Sequence, residues 1–371
     1  MVDPVIYRGA TLVKRVRPLS MSMTFSLHDY ETAEMELAEA DCPTLRLHDT
    51  VLAYTPAGSP IIYRITAWDR TYGGRVKLSL VNAIDGLNDV VYSVNGNVRQ
   101  QLSTYISNVI STAANGIFWL LGTAQLGGDK WYRDEVKNES RLDLLNEVRD
   151  ALADHMFTYT YTLSSDGHPS TAYLNVMMLP TTAGAEFRLS RNIKECRVTV
   201  DDTDMCNRIY MMFTRSSGST VFNYTYDDTT SQSAYGVIEQ GIAVTEDETG
   251  GATVALRQAW ADRYFEQHNK PHITIDIDGY QLKALTGLDW DEASVGKLVR
   301  VSLPDYNDVY TERCIEVTYP DVIGRPEEVR VRLGRETPTI SEQVAFTGKK
   351  TGTRSRRYLY GQSGTIVEEE T

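Results

Sequence analysis

One stretch of this chain is echoed by another far along it. Residues 49–80 read DTVLAYTPAGSPIIYRITAWDRTYGGRVKLSL, and residues 296–333 read GKLVRVSLPDYNDVYTERCIEVTYPDVIGRPEEVRVRL. Each holds a run starting at Val51 or Val299 and then a turn containing proline. Each continues with a run centred on Ile65 or Ile315, a second turn, and a run ending at Leu80 or Leu333. The spacings agree within a few residues, and the runs alternate apolar and polar side chains, the period of a half-buried strand. A chain holding two copies of one small β-barrel, with other material inserted, would carry this pattern.

The stretches around the echo give the remaining elements. Residues 1–90 read as strands at 21–27, 34–37, 51–54, 61–68 and 75–81, with Pro56-Ala57-Gly58 and Tyr72-Gly73-Gly74 supplying turn chemistry. The period then changes. Leu102, Tyr105, Ile106, Val109, Ile110 and Ala113 lie on one face of a helix expected over 98–113. A second helix is expected from Ser140, which has capping-box spacing to Asp143, with Leu142, Leu145, Val148 and Leu152 inward. Phe157, Tyr159, Tyr161 and Leu163 alternate with threonines, and a turn at 164–167 leads back into 172–178. Further strands are expected at 196–200, 208–214, 224–226 and 273–277. A third helix is expected over 253–268, with Leu256, Ala259, Trp260 and Phe265 inward and Pro271 beyond its end. The fold class is mainly β with α+β insertions.

Charge narrows the function. Among 371 residues, 37 Lys and Arg face 50 Asp and Glu, a net charge of −13. A dedicated nucleic-acid binder needs a basic stripe to replace phosphate counterions, so that class is disfavoured. A pore that DNA passes through is not, because negative walls keep DNA from sticking. The 22 tyrosines against 8 phenylalanines suit strands with one wet face, and interfaces. Cys42, Cys196, Cys206 and Cys314 form no C-x-x-C pair and are read as reduced and mostly buried. Residues 1–16 lack the apolar core and cleavage site of a signal peptide, and the longest apolar stretch, around 116–121, is too short to span a bilayer.

The search for catalytic chemistry finds no motif. His268 and His272 have i,i+4 spacing, but Pro271 lies between them, so they do not form a helical metal pair. His168 falls in an expected hairpin loop with no obvious nucleophile partner. Asp276, Asp278 and Gly279 begin like a calcium loop, but Tyr280-Gln281-Leu282 break it, and both aspartates read as the wet face of a strand. There is no G-x-S-x-G, phosphate loop or dinucleotide fingerprint. The expected site list therefore has no catalytic, cofactor-binding or metal residues. From about residue 337 periodicity ends in a polar stretch holding Lys349, Lys350, Arg354, Arg356 and Arg357, then Tyr358 and Tyr360. It reads either as a solvated tail or as an arm that docks on a partner.

The order of parts resembles the hub region of phage tail-associated proteins. That family includes the N-terminal hub region of siphophage tail-associated lysins (prophage endopeptidase tail proteins) and the central baseplate hub of contractile phages. Four stretches within residues 20–335 carry the likeness. They are 47–87, ending in Asn82-Ala83-Ile84-Asp85-Gly86-Leu87; the insert with Gly122, Trp131 and the 140–152 helix; Arg191-Asn192-Ile193-Lys194-Glu195-Cys196 leading to Asn207-Arg208-Ile209-Tyr210; and 296–333.

The resemblance implies two similar small β-barrels plus two inserted or peripheral domains, assembling as a homotrimeric ring that matches a sixfold tail tube. On that plan residues 1–94 are the first barrel and 95–180 an α+β domain. The second barrel is split into 181–225 and 291–336 around an inserted domain at 226–290, and 337–371 is an extension or docking arm. The implied role is structural and non-enzymatic. The hub closes the tail tube at the virion tail tip, adapts sixfold to threefold symmetry and forms the channel for DNA ejection. Implied partners are the distal tail protein, the tape-measure protein and a spike or fibre, with DNA only in transit, no cofactor and no stable membrane association. Tail-associated lysins continue into a peptidoglycan-cleaving domain; no such signature follows the second barrel here, so a separately recruited spike or lysin is expected, with the basic cluster as its dock. Other readings stay open: the hub of a contractile tail or injection machine, a cell-wall-degrading enzyme, or a carbohydrate-binding tail protein using Trp119, Trp131 or Trp290.

Overall fold

Strict alternation builds most of the molecule. The computed structural model describes residues 2–334 apart from 93–95, 129, 137, 153, 166, 250 and 307. Strand Thr32–Ala38 turns Ala33, Met35 and Leu37 inward, and Arg75–Asn82 does the same with Val76, Leu78 and Leu80. Late in the chain, Leu298–Leu303 buries Val299, Val301 and Leu303, and Glu328–Gly334 buries Val329, Val331 and Leu333. Both echoed segments form three-stranded antiparallel meanders: Thr50–Tyr54, Pro60–Arg70 and Arg75–Asn82 in one, Leu298–Leu303, Asp308–Tyr319 and Glu328–Gly334 in the other. The expected turns are in place. Gly58 and Gly73 take the left-handed backbone their hairpins need, with φ of 85° and 71°.

The fold is mainly β, but the sheets are not closed barrels. Thirteen strands form one branched sheet, and none of the sheets among the described residues closes on itself. The cause is strand Asp308–Tyr319. One of its edges is shared: the first half pairs with Leu298–Leu303 and the second half with Ser20–Ser26, Glu316 facing Ser26 and Tyr319 facing Met23. Glu328–Gly334 takes the other edge. A strand has two edges only, so this arrangement joins the early and late strands in one ladder and leaves Thr11–Arg15 as a free edge beyond Val5–Arg8.

The chain divides into two compact units, Met1–Arg197 with Ile275–Glu336, and an inserted unit from Val198 to Thr274. In the first unit, helices Leu102–Ile110 and Arg141–Ala151 cover a four-stranded sheet ordered Thr112–Ala114, Ile117–Ala124, Pro169–Met178, His155–Leu163. The Ser140 hydroxyl caps the second helix by accepting the Asp143 amide at 3.0 Å. The first helix is shorter than its apolar spacing suggests, because Gly96–Gln101 and Thr112–Ala114 at its ends pair as strands. This layer shares one core with the first meander. Tyr7, Leu52, Ile62, Ile84 and Leu87 pack with Tyr105, Val109, Trp119, Leu145 and Leu174.

The inserted unit is a three-stranded sheet, Thr220–Asp227, Arg208–Thr214 and Glu239–Thr245, packed on helix Val254–His268. That helix is capped by Thr253, but its inner face differs from the expected one. Arg257, Ala261 and Phe265 are buried, and Ala259 is exposed. The Arg257 guanidinium donates to the Ala252 carbonyl and lies 4.2 Å from the Tyr224 ring centre and 5.0 Å from that of Phe213, so aromatic faces help accommodate its charge.

Gly279, near the end of strand His272–Tyr280, shows how tightly the late strands are built. The next amide, Tyr280, donates to the Asn192 carbonyl at 2.9 Å, and a Cβ at position 279 would run into that same carbonyl. Gly279→Ala is expected to destabilise the main unit by about 1–3 kcal/mol through forced displacement of this strand; calorimetry or urea unfolding reads the effect, and an unchanged midpoint would refute the steric argument.

Candidate assembly surfaces

The basic cluster singled out in the sequence, Lys349, Lys350, Arg354, Arg356 and Arg357, lies outside the described residues. Among the described residues, no group of three or more His, Cys, Asp or Glu side chains is placed to hold a metal. The histidines singled out in the sequence have structural partners. His168 is buried, with Nε2 at 2.8 Å from the Gly9 carbonyl and its ring edge-on to Tyr7. His268 and His272 sit edge to face at 6.5 Å between centroids, across the break that Pro271 makes. Asp276 pairs with Arg332 on the neighbouring strand at 2.9 Å. All four cysteines are free thiols, and burial pushes the Cys314 thiol up to about 12. Trp119 and Trp131 are core residues, 0% and 7% exposed, so they cannot line a surface groove with Trp290, which is 50% exposed.

Trp290 belongs to a short loop built to display apolar side chains. A single helical turn, Lys283–Thr286, ends at Gly287 in the left-handed region (φ 70°), and a 3-10 turn, Asp289–Asp291, follows. The anchor is Asp291, 2% exposed. Its carboxylate receives Arg191 Nη2 at 2.8 Å and the Thr286 hydroxyl at 2.6 Å, while its carbonyl accepts the Leu282 amide at 3.1 Å. Lys283 closes the outside, at 2.6 Å from Glu292 and 3.0 Å from Asp289. The hydrogen bond to Glu292 raises the lysine pKa, and the bond from Lys283 lowers that of Asp289. On this clamped frame Leu285, Leu288 and Trp290 stand 83%, 55% and 50% exposed. Three large apolar side chains within six residues, held out by an ion pair to the buried Asp291, form a knob suited to a partner's apolar surface. The sequence reading named Trp290 and missed the two leucines; the available signal was apolar residues in a turn without strand or helix period.

The inserted unit offers a second surface, the outer face of its sheet. The Asn207-Arg208-Ile209-Tyr210 run opens the central strand there. Buried Asn207 donates to the Gly236 carbonyl at 2.7 Å and accepts the Ile238 amide at 2.8 Å, fixing the turn before it. Tyr210 and Met212 face outward at 41% and 47% exposure, beside Gly241 and Ala243 on the parallel neighbour. Arg208 bridges Asp227 at 2.6 Å and Glu239 at 3.0 Å, and the Tyr210 hydroxyl donates to Glu239 at 3.0 Å. The bonds to these carboxylates raise the arginine pKa and lower that of Asp227.

A third feature sits in the interior of the first unit, where the tip of the hairpin between Ser20–Ser26 and Thr32–Ala38 meets the helical layer. The Tyr30 hydroxyl donates to Asn146 on helix Arg141–Ala151, and the Arg149 guanidinium lies 4.9 Å from the Tyr30 ring centre. The Glu31 carboxylate accepts Asn82 Nδ2 at 2.8 Å, and the same amide nitrogen is 2.9 Å from the Tyr161 hydroxyl. The residue keeps some exposed surface, but its carboxylate end lies among Asn82, Tyr63 and Tyr161. Loss of water pushes Glu31 up to about 7; Asp29 adds to the shift, and the bonds from Asn82 and its own backbone oppose it. Burial, and then the charge of Glu31, raises Tyr63 and Tyr161 well above the usual phenol value.

No protein-family model matches the sequence, and no curated protein matches it either. Solved structures do match, over nearly the whole length of both chains. Prophage tail protein gp18 from Listeria monocytogenes superposes with a TM-score of 0.60 at 13% identity, covering 94% of this chain and 100% of that one. The 43 kDa tail protein of prophage MuSo2 from Shewanella oneidensis gives 0.60 at 14% identity over 90% and 98%. A tail protein from Neisseria meningitidis gives 0.57 at 12% identity over 90% and 96%. At such identities the shared property is the fold, and the chain has the fold of these phage tail proteins.

The Leu285–Leu288–Trp290 knob makes a stability prediction. Replacing all three with serine is expected to leave Tm within about 2 °C, because exposed side chains away from packing contribute little. Asp291→Ala, which leaves Arg191 and Thr286 without their buried acceptor, is expected to cost about 1–3 kcal/mol. Differential scanning calorimetry of both variants checks this, and a large loss from the triple serine variant would show that the knob is packed.

Proposed function

We propose that this chain is a structural protein of a bacteriophage tail, the hub at the tail tip or baseplate, and that it works by assembly and not by catalysis. The observation that carries the reading is the tail-protein fold, matched over 94% of this chain and all of the Listeria prophage protein. The meander repeated at the two ends of the chain supports it, since two similar β modules per subunit let three copies present six similar surfaces to a sixfold tube. In this reading three copies form a ring that closes the tail tube, adapts its symmetry and opens a channel for DNA ejection.

The two meanders are the heart of two barrel-like hub modules, here joined through a common ladder. The working plan keeps the divisions proposed from the sequence, 1–94, 95–180, 181–225 with 291–336, 226–290 and 337–371, except that 198–225 goes with the inserted unit, where Arg208–Thr214 pairs with Thr220–Asp227 and Glu239–Thr245. The net charge of −13 suits a channel wall from which DNA must slide freely. Partners would be the distal tail protein, the tape-measure protein and a spike or fibre, in the virion at the tail tip. The segment Lys349, Lys350, Arg354, Arg356 and Arg357 is the proposed dock for that spike or a separate lysin; reversing these five charges should abolish capture of the tip partner while leaving ring formation intact.

The test of the main reading is the native mass of the purified chain, with negative-stain images of the same sample. A trimer forming a threefold ring with a central hole is the expected result. A monomer at every concentration, both alone and with the distal tail protein added, would overturn the hub assignment.

A further inference from the structure

We infer that the seam between the main sheet and the helical layer is a proton-operated latch, closed while Glu31 carries its proton and loosened when it ionises. The hairpin tip at 27–31 is where the sheet clasps the layer, through Tyr30 to Asn146 and Arg149 on helix Arg141–Ala151, and through Glu31 to Asn82 and Tyr161. Asn82 is the hinge pin of this contact. Fully buried, it spans Glu31, Tyr161 and the Ile84 amide, which its side-chain oxygen accepts at 3.0 Å. Asn82 and Tyr161 exchange donor and acceptor roles without any net charge, so the partners that surround the carboxyl are neutral.

Ionisation is answered only by the bonds from Asn82 and from the residue's own backbone, which do not outweigh the loss of water. The groups around Glu31 are Asp29 on its own turn, Tyr63 on strand Pro60–Arg70, and Tyr159 and Tyr161 on strand His155–Leu163. Arg149 and Asp150 of the helix act on Tyr30, and Asp85 of the turn after Asn82 is held by Arg64. Thus the charges that bear on Glu31 are dominated by another acid. Among the described residues no cation forms an ion pair with it, and the buried Tyr63 hydroxyl has no hydrogen-bond partner. A carboxylate created here is desolvated and opposed by Asp29, and it is relieved when the tip swings into water.

The sign follows from the raised folded value. An exposed glutamate titrates near 4.3, and Glu31 in the closed seam titrates at about 7. Between those values the closed seam holds one more proton than the open one. The stabilisation is therefore complete below the exposed value and is lost as pH rises through the folded value, after which it levels off. This device goes beyond the assembly reading and does not depend on it.

Hydrogen exchange on the full chain, with rates corrected for intrinsic pH dependence, tests the latch. The expected result is that amides of 27–31 and 141–151 lose at least about tenfold in protection between pH 5 and pH 7.5 and then plateau. Glu31→Gln, neutral at every pH, should stay protected throughout. Wild-type protection that does not change with pH, or a Gln variant that follows the wild-type curve, would overturn the proposal. Should the variant fail to fold, the side-chain carbon titration of Glu31 in the wild-type chain decides: a midpoint near 7 supports the latch, and one near the ordinary glutamate value removes it.

Discussion

The whole of the first unit hangs on one ladder, between Ser20–Ser26 near the start of the chain and Asp308–Tyr319 near its end. Its surroundings lock the register. The Val322 amide donates to the Met21 carbonyl at 2.7 Å, the Leu27 amide donates to the Ile315 carbonyl at 2.9 Å, and the Thr24 and Thr318 hydroxyls meet at 3.1 Å. Because these strands are so distant in sequence, everything between them is one large closed loop. The entropy of closing such a loop grows only with the logarithm of its length. A helical layer and an entire inserted unit can therefore sit inside the loop at little extra cost, provided the ladder itself is well paired.

This ladder also marks the limit of what the sequence reveals. Local chemistry is legible. Ser140 before Asp143 places a helix start, Thr253 caps another, and Gly58 and Gly73 sit where the hairpins turn. Alternation placed the strands of both meanders and even their order. It said nothing about which strands pair at a distance, because an alternating strand suits any apolar neighbour of matching register. So two closed barrels were expected, while Asp308–Tyr319 in fact divides one edge between two partners. Helix period misled in another way at Arg257. A spacing rule sorts residues by polarity, and it cannot know that Tyr224 and Phe213 would present ring faces to a guanidinium.

The candidate surfaces were less legible than the fold, and for a related reason. Trp119, Trp131 and Trp290 look alike in a sequence, yet two are core and one is surface. What separates them is neighbouring structure. Trp119 alternates inward on a covered strand, whereas Trp290 rides on a turn whose one buried residue is Asp291. There the usual arrangement is inverted: Asp291 is buried, bonded to the exposed Arg191 and Thr286, and the leucines and tryptophan are left outside. A buried ion pair is weak evidence for stability by itself. Its effect here is geometric, since it fixes a loop that has almost no apolar interior of its own.

Four buried or half-buried ionic groups show how differently this chain treats charge. Arg64, 3% exposed, is forked between Asp85 at 2.9 Å and Asp89 at 2.6 Å. Asp291 has a cation and a hydroxyl, and Arg257 has aromatic faces. Glu31 alone has only a neutral amide and phenols. The first three each meet an opposite charge or an aromatic face. Glu31 is desolvated with no cation beside it among the described residues, which places a titratable group at a seam between layers. The alternating cores that give the shared tail-protein fold can be met by many apolar sequences, which is why that fold persists at 13% identity. A desolvated glutamate at a seam is a feature of another kind, since what it contributes depends on its protonation and not on apolar packing.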